Sequence, residues 1–532
     1  MTARPGMEAQ EARAEPREPR AAAPRPALSL LRYSPALLAF IIVVADAGRW
    51  ADPDLWGHLV FGRLILMHGH LPPRDIYSYS AMGLPWHDHE WLSEVVLALS
   101  WSSFGVVGLK LMKLACTAAT ITLLAMGAAE TGAPMPLQLL VLTTGAAAIA
   151  PMMQFRPQLF DFVALSALLL LLARDSYRRA GRLWLAIPIF ALWANLHGGF
   201  FVGLAALAVY TALAALEDLA AGNGLGRAVR LGGVTAGCVL ATLFNPDGIG
   251  NWFTVMHTMR NPLTRAVISE WQPLLFKIAE EWHKSPKTAV NFALVIVPFA
   301  ALTVCFVIKP RGGDLALVVI AAMMGAAAYL AVRNMGLAVI ASTTPLCRHA
   351  ALALKATRFG KQAPPAPRKR GHEVLVGAIA FLMMLSTGLF SGRLSGGHPQ
   401  PHAAVEFMQE RGLRGNVLGD FAWGEYLIFH LAPESRVFVD SRYDMVYPQE
   451  VVADYLDFFL MRPRAGAVLD AYPHNFVLIP PTAAARALME QRSDWKVIYS
   501  DPSALLYARA GSATARLKGI PVQGQAGPNF FP

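Results

Sequence analysis

Residues 51–58 read Ala51-Asp52-Pro53-Asp54-Leu55-Trp56-Gly57-His58, and they stand between one apolar run at 29–47 and another at 107–128. Two acids, a proline and a histidine break the apolar text here, so the flanks decide what kind of protein carries them. Runs long enough to cross a bilayer, at about 20 residues per crossing, lie near 29–47, 107–128, 136–153, 158–174, 183–195, 199–217, 227–244, 289–308, 314–332, 335–352 and 373–391. The expected fold class is a polytopic α-helical membrane protein of about eleven transmembrane helices, followed by a small C-terminal α/β soluble domain. Composition agrees: 55% of the 532 residues are hydrophobic and only 15% are charged, with a mean hydropathy of +0.40. A bilayer, not water, is the solvent such a chain is built for.

Residues 1–27 mix Ala, Pro, Glu and Arg without periodicity and are expected to be a disordered cytoplasmic tail. The first apolar run is expected to stay as an anchor. The transmembrane domain then covers 28–395, with a first outer loop at 48–106 and a long outer loop at 245–287. A domain on the outer, periplasmic side follows at 396–511, and 512–532 is expected to be a flexible tail. The four cysteines, Cys116, Cys238, Cys305 and Cys347, fall inside apolar runs and are assigned to packing. The net charge of +10 sits largely in the N-terminal tail and in inter-span loops, where it sets orientation and does not imply nucleic acid.

The short run at 91–104 carries Glu94 and follows the cluster His87-Asp88-His89-Glu90. Treating it as an interfacial helix puts Arg20, Arg25 and Arg32, then Arg174, Arg178, Arg179 and Arg182, then Lys309 and Arg311, then Arg348 to Arg370, all on the cytoplasmic side. Lys110 and Lys113 dissent. Every polar interruption then lands on the outer face: 51–90, Gln154-Phe155-Arg156-Pro157-Gln158, Asn195-Leu196-His197-Gly198-Gly199, 245–287 and Arg333-Asn334. Polar groups at membrane depth are costly unless paired or hydrated, so a shared polar cavity on that face is expected.

Asp52 before Pro53 reads as a helix N-cap, and the helix it starts places Asp54 and His58 four apart on one face. Either Asp52 only caps, or Asp52 or Asp54 deprotonates an acceptor or contacts a divalent metal. His58 is a helix-face histidine or a partner to Asp54. Asp88 and Glu90, with His87 and His89, form either a solvated turn or a second half of the site, and Glu270 in Ile268-Ser269-Glu270-Trp271 is a further candidate acid. Arg156 and Arg333 each sit in a short polar loop where a cation needs compensation. Its source is a nearby acid, Asp161 for Arg156, or an anionic head group gripped through the guanidinium fork. His197 is a tight-reversal residue or a phosphate or acceptor contact. The long loop, with Trp252, Trp271 and Trp282, reads as a lid or acceptor surface. In the C-terminal region, 437–439, 476–479 and 495–499 are expected strands between amphipathic helices, without a P-loop, a G-x-G-x-x-G turn or a G-x-S-x-G elbow.

Asp52-Pro53-Asp54-Leu55-Trp56-Gly57-His58, His68-Gly69 and Pro72-Pro73-Arg74-Asp75, set after span one of a many-span chain, resemble the first-loop pattern of bacterial GT-C glycosyltransferases. The layout is similar to that of oligosaccharyltransferase catalytic subunits. Gly419-Asp420-Phe421-Ala422-Trp423-Gly424-Glu425-Tyr426 stands where those enzymes carry their WWDYG acceptor motif, with the doubled tryptophan and the D-Y-G order absent, and Val439-Asp440-Ser441-Arg442 follows. The resemblance implies a GT-C-like transmembrane domain in a bacterial inner membrane. It also implies a polyprenyl-phosphate sugar donor with its lipid tail among the spans, Asp52 or Asp54 as catalytic base or metal-contacting acid, and outer-face arginines on the lipid phosphate. The acceptor, whether glycan, lipid or protein, is left open. A transporter or flippase, and an inactive scaffold of the same fold, are the rival readings; the former would place ionisable residues at the midplane and repeat its halves.

Overall fold

Helix α1 (Leu55–His68) follows the acidic turn and ends at Gly69, which takes φ 71° and closes the last turn through its N–H to Ile65. Helix α2 (Trp91–Glu130) comprises two helices joined at a kink, where Phe104 and Gly105 leave helical geometry and Gly105 takes φ 58°. The kink falls between the run at 91–104 and the span at 107–128. The computed structural model describes residues 50–180, 182–261, 268–310, 313–356, 394–396, 399–511 and 530–531. The expected spans at 29–47 and 373–391, the tail at 1–27 and nearly all of 512–532 lie outside the described residues.

From Glu130 the chain passes back and forth between two ends, through α3 (Met135–Ile149), α4 (Gln158–Arg178), α5 (Ala186–Leu196), α6 (Phe200–Ala220) and α7 (Gly226–Ala241). After α8 (Gly250–Arg260) and α9 (Leu274–Lys284) in the long loop come α10 (Pro286–Leu294), α11 (Ile296–Ile308), α12 (Leu315–Leu330) and α13 (Met335–Ala356). Among the described residues, 5 helical segments are long and apolar enough to cross a membrane: Trp91–Glu130, Met135–Met152, Phe200–Ala220, Pro286–Ile308 and Val332–Ala356. Leu183–Leu196 and Leu315–Leu330 are shorter apolar helices. Crossings beyond those rest on the sequence reading. The most enclosed helix is α13, whose Met335, Ala338 and Ile340 pack in one core with Phe162, Leu165 and Leu168 of α4 and Ile320 of α12.

Helix ends opposite the acidic loop carry a closed set of ion pairs. Glu130 meets Arg174 at 3.0 Å and also Arg178. Asp175 takes Arg227 at 2.7 Å and the Tyr210 hydroxyl at 2.9 Å. Asp314 lies 3.0 Å from His349 and accepts from the Tyr177 hydroxyl at 2.7 Å.

The C-terminal region forms a five-stranded sheet of β3 (Asn416–Gly419), β4 (Arg436–Val437), β5 (Phe476–Ile479), β6 (Trp495–Ser500) and β7 (Leu505–Arg509), in the order β4-β3-β5-β7-β6. Strands β3, β4 and β5 run parallel, and β7 is antiparallel to both β5 and β6. The expected strands correspond to β4, β5 and β6; β3 and β7 complete the sheet. This region does not pack as a separate body. Leu55, Trp56, Leu59 and Phe61 of α1 share one core with Leu418, Trp423, Tyr426 and Phe438. Trp56 stands edge-on to Tyr426 at 5.0 Å and to Phe429 at 4.9 Å. Ser78 bridges Val437 in parallel, extending the β4 edge. Burying that many large side chains against one another is worth on the order of 2 kcal/mol each, so the first loop is fixed from the side of the C-terminal sheet. Strand β1 (Trp50–Ala51) pairs in parallel with β2 (Leu394–Gly396), which clamps the chain immediately before Asp52.

Candidate active site

Asp52 does not cap the helix from its first turn as the sequence suggests. Its Oδ1 accepts the Asp54 N–H at 3.0 Å and its carbonyl accepts from Leu55 at 3.1 Å, making a local turn, and α1 begins two residues later than Pro53. The turn points both carboxylates away from the helix into a cavity of about 480 Å3. The expected shared polar cavity is present: its walls include Asp52, Asp54, His58 and Glu90 from the first loop, Gln154, Arg156 and Gln158, His197, Glu270 and Arg333. Asp88 lies behind this wall, buried, with Oδ1 accepting from the Glu90 N–H at 3.0 Å. His87 faces Asp247 at 3.3 Å on an exposed edge.

Arg156 is the centre of the acidic wall. Its Nε lies 2.7 Å from Asp52, its Nη2 2.9 Å from Asp54 and its Nη1 2.5 Å from Glu270. The expected partner Asp161 is not among them. Helix α4 starts at Gln158, which turns Asp161 inward, where it takes His197 Nδ1 at 2.5 Å and the Trp193 indole N–H at 2.7 Å. A Cβ at position 199 would lie 2.3 Å from that carboxylate, so glycine there admits Asp161. His197 reaches Glu90 with its other nitrogen at 3.2 Å. Arg333 has no carboxylate at ion-pair distance among the described residues; its guanidinium lies over the Trp271 ring at 4.4 Å.

Burial pushes the Asp52 carboxyl up to about 6, against the pull of Arg156 and with the repulsion of Asp54 and Glu270. Asp54 is raised as well, first by burial. Burial also works to raise Glu270, but Arg156 and then Arg333 hold it below its ordinary range. Glu90 likewise overcomes burial: the His197 hydrogen bond and the charges of His89, His197 and His58 keep it low. His197, flanked by Asp161 and Glu90, is raised to about 9 in spite of burial, while burial lowers His58.

The C-terminal region supplies a further wall, from the two segments at 419–426 and 439–442 that the resemblance set at the acceptor-motif position. Asp420 Oδ1 caps the turn Phe421–Trp423 through the Ala422 N–H at 2.9 Å, and the turn brings Phe421, Ala422 and Glu425 to the cavity. Glu425 Oε2 accepts the Gly57 N–H at 3.0 Å, and its other oxygen accepts from the Ser441 hydroxyl. A Cβ at Gly57 would fall 2.2 Å from that carboxyl, so the glycine of the first-loop motif is a docking point. Arg442 closes the floor. It pairs with Asp440 at 2.7 Å and with Asp75 at 2.7 Å, beneath the Trp86 ring at 4.7 Å. Asp75 thereby ties the first loop to the sheet. Glu94 also lines the cavity and lies 3.1 Å from His58; its one signal in sequence was an acid inside an apolar run.

A second cavity of about 150 Å3 adjoins the first and shares Arg156, Glu270 and Arg333 with it. Its other walls include Met152, Phe162, Phe292, Val332 and Met335. Helix α9 beside it turns Leu275, Phe276 and Trp282 outward. Metal ligation fits this arrangement poorly: among the described residues no group of three or more His, Cys, Asp or Glu side chains is disposed to hold an ion, and the three converging carboxylates are bound to Arg156.

No protein-family model matches the chain, and no curated protein matches it in sequence. Solved structures do match in fold. The oligosaccharyltransferase of Archaeoglobus fulgidus, tethered to an acceptor peptide with an NVT sequon, superposes with a TM-score of 0.51 at 12% identity, over 85% of this chain and 69% of that one. The archaeal oligosaccharyltransferase AglB from Archaeoglobus fulgidus, in complex with an inhibitory peptide and a dolichol-phosphate, gives the same values. At that identity the likeness establishes the fold alone: the chain shares the fold of an archaeal oligosaccharyltransferase.

Proposed function

We propose that the chain is a membrane glycosyltransferase that moves a sugar from a polyprenyl-phosphate-linked donor to an acceptor at the outer membrane face. The observation that carries this reading is the meeting, in one cavity, of buried carboxylates with an arginine that has no acidic partner among the described residues, beside a second, apolar-walled cavity. The donor phosphate then lies on Arg333 and its lipid tail along Met152, Phe162, Phe292 and Met335. Asp54 or Asp52 takes the proton from the acceptor as the bond from the sugar to the phosphate breaks and the lipid phosphate leaves. Arg156 and His197, each held between carboxylates, position the acids; in this reading neither is the main phosphate contact. Glu90 is held ionised and serves as the second carboxylate, fixing His197, with Asp88 supporting its backbone. The lipid bilayer is a partner throughout, and the acceptor is a glycan, lipid or protein.

The same reading sets the chain in a bacterial inner membrane with its N-terminus cytoplasmic and residues 396–511 periplasmic. Support comes from the basic residues Arg174, Arg178, Arg227 and Arg348 at the helix ends away from the cavity, as the positive-inside rule requires. The test is transfer of labelled sugar from a panel of polyprenyl-phosphate donors in membranes with matched levels of wild type, Asp52→Asn and Asp54→Asn. Loss of transfer by roughly 100-fold or more in one variant is expected. No transfer by folded wild type with any donor would return the scaffold or transporter reading.

A further inference from the structure

Asp52 and Asp54 come from the first loop and Glu270 from a loop more than two hundred positions later, yet all three converge on one guanidinium, each on a different nitrogen at 2.7, 2.9 and 2.5 Å. Three carboxylates brought this close repel one another and stay together only around a cation. Oxygen donors of this kind are what a hard divalent ion takes. Here the middle of the set is filled by a side chain of the protein itself.

We propose that Arg156 is a built-in cation: its guanidinium supplies among Asp52, Asp54 and Glu270 the positive charge that a divalent metal would supply, and the centre holds its acids in register without a bound metal. The inference rests on the transferase reading only for what the cation does during transfer; occupancy of the three-carboxylate set is independent of it. Two consequences follow from the chemistry of the group. A guanidinium presents N–H donors in one plane and has no open coordination position, so the donor phosphate is met elsewhere, at Arg333 over Trp271. Its fork also matches carboxylates in a way that a point charge does not, so lysine is a poor replacement.

The experiment is a titration of the purified full-length protein in detergent with Mn2+ alone, reading bound manganese by electron paramagnetic resonance and stability by thermal melting. Wild type is expected to bind no stoichiometric Mn2+ and to melt at the same temperature with and without it. Arg156→Ala is expected to bind one Mn2+ saturably and to gain several degrees from it, and Arg156→Ala with Glu270→Gln to lose that binding. Stoichiometric Mn2+ on wild type that Asp54→Asn removes would overturn the proposal, as would a folded Arg156→Ala that binds no more manganese than wild type. If Arg156→Ala does not fold, wild type and Asp54→Asn decide alone: manganese held by wild type and lost from the variant overturns the proposal, and its absence upholds it. A protein that takes no manganese and transfers no sugar fails the transferase reading only.

Discussion

The two ends of the helical bundle hold ionisable side chains of the same kinds in opposite proportion. Away from the cavity, cations equal or outnumber acids: Glu130 has Arg174 and Arg178, Asp175 has Arg227 with Arg230 at 3.9 Å, and Asp218 has Arg227 and Arg179. At the cavity one guanidinium serves three carboxylates, and Glu90, Glu94 and Glu425 stand on the same wall. An acid saturated with partners at a helix end is a staple. An acid under-compensated around open space is held in a costly state that packing must sustain, and such sites are where proton-transfer chemistry is found.

The largest expected effect separates the two ends by paired substitutions. Asp54→Asn removes one of three mutually repelling charges, so the fold should hold or gain a little stability while transfer falls by roughly 100-fold or more. Asp175→Asn at the other end should lose about 2 kcal/mol through its bonds to Arg227 and Tyr210, with transfer per folded molecule unchanged. Melting curves and transfer rates on the two variants check both halves; equal loss of activity would erase the distinction between the ends.

Much of this arrangement was legible in the sequence because a bilayer makes polar residues conspicuous. The runs at 158–174, 199–217 and 335–352 anticipate α4, α6 and α13, each bracketed by charged or turn residues. The motifs at 52–58, 154–158 and 195–199, with Glu270 and Arg333, all reach one cavity, since groups that cannot face lipid must face each other. What escaped was pairing at a distance. Asp161 is near Arg156 in sequence, but the start of α4 at Gln158 sets it toward His197. Glu425 and Gly57 are 368 positions apart, and nothing local marks either as the other's partner. Strands β3 and β7 are four and five residues long and gain their identity only from neighbours in the sheet.

A smaller effect tests whether the cavity end is held by charge. The His197 ring is raised to about 9 from an ordinary value near 6.5 by its place between Asp161 and Glu90. The folded state therefore binds a proton that the unfolded chain releases, and the stabilisation is complete below about pH 6.5 and is lost as pH rises through about 9. Its size is on the order of 3 kcal/mol. Unfolding midpoints of wild type should fall across that window, and those of His197→Gln should stay flat. A wild-type midpoint that is level from neutral to alkaline pH would mean the ring is not held charged.

The smallest effect concerns the seam between the first loop and the C-terminal sheet. Burial raises the Glu425 carboxyl well above its ordinary value, and the charges of Asp54 and Asp440 add to the rise. Burial thus favours the protonated carboxyl, with one oxygen accepting from the Gly57 N–H and the other from the Ser441 hydroxyl. Glutamine has the same shape: its oxygen can take the Gly57 N–H and its amide can donate to the Ser441 oxygen. Glu425→Gln should change stability by less than about 1 kcal/mol and leave transfer close to wild type, whereas Glu425→Ala leaves the Gly57 N–H without an acceptor and opens a gap over the glycine, at about 2–3 kcal/mol. Comparable melting of wild type and the glutamine variant, with a clear drop for alanine, marks the seam as neutral packing within an otherwise charged wall. A large loss for glutamine would make Glu425 one of the ionised acids and move it into the catalytic set.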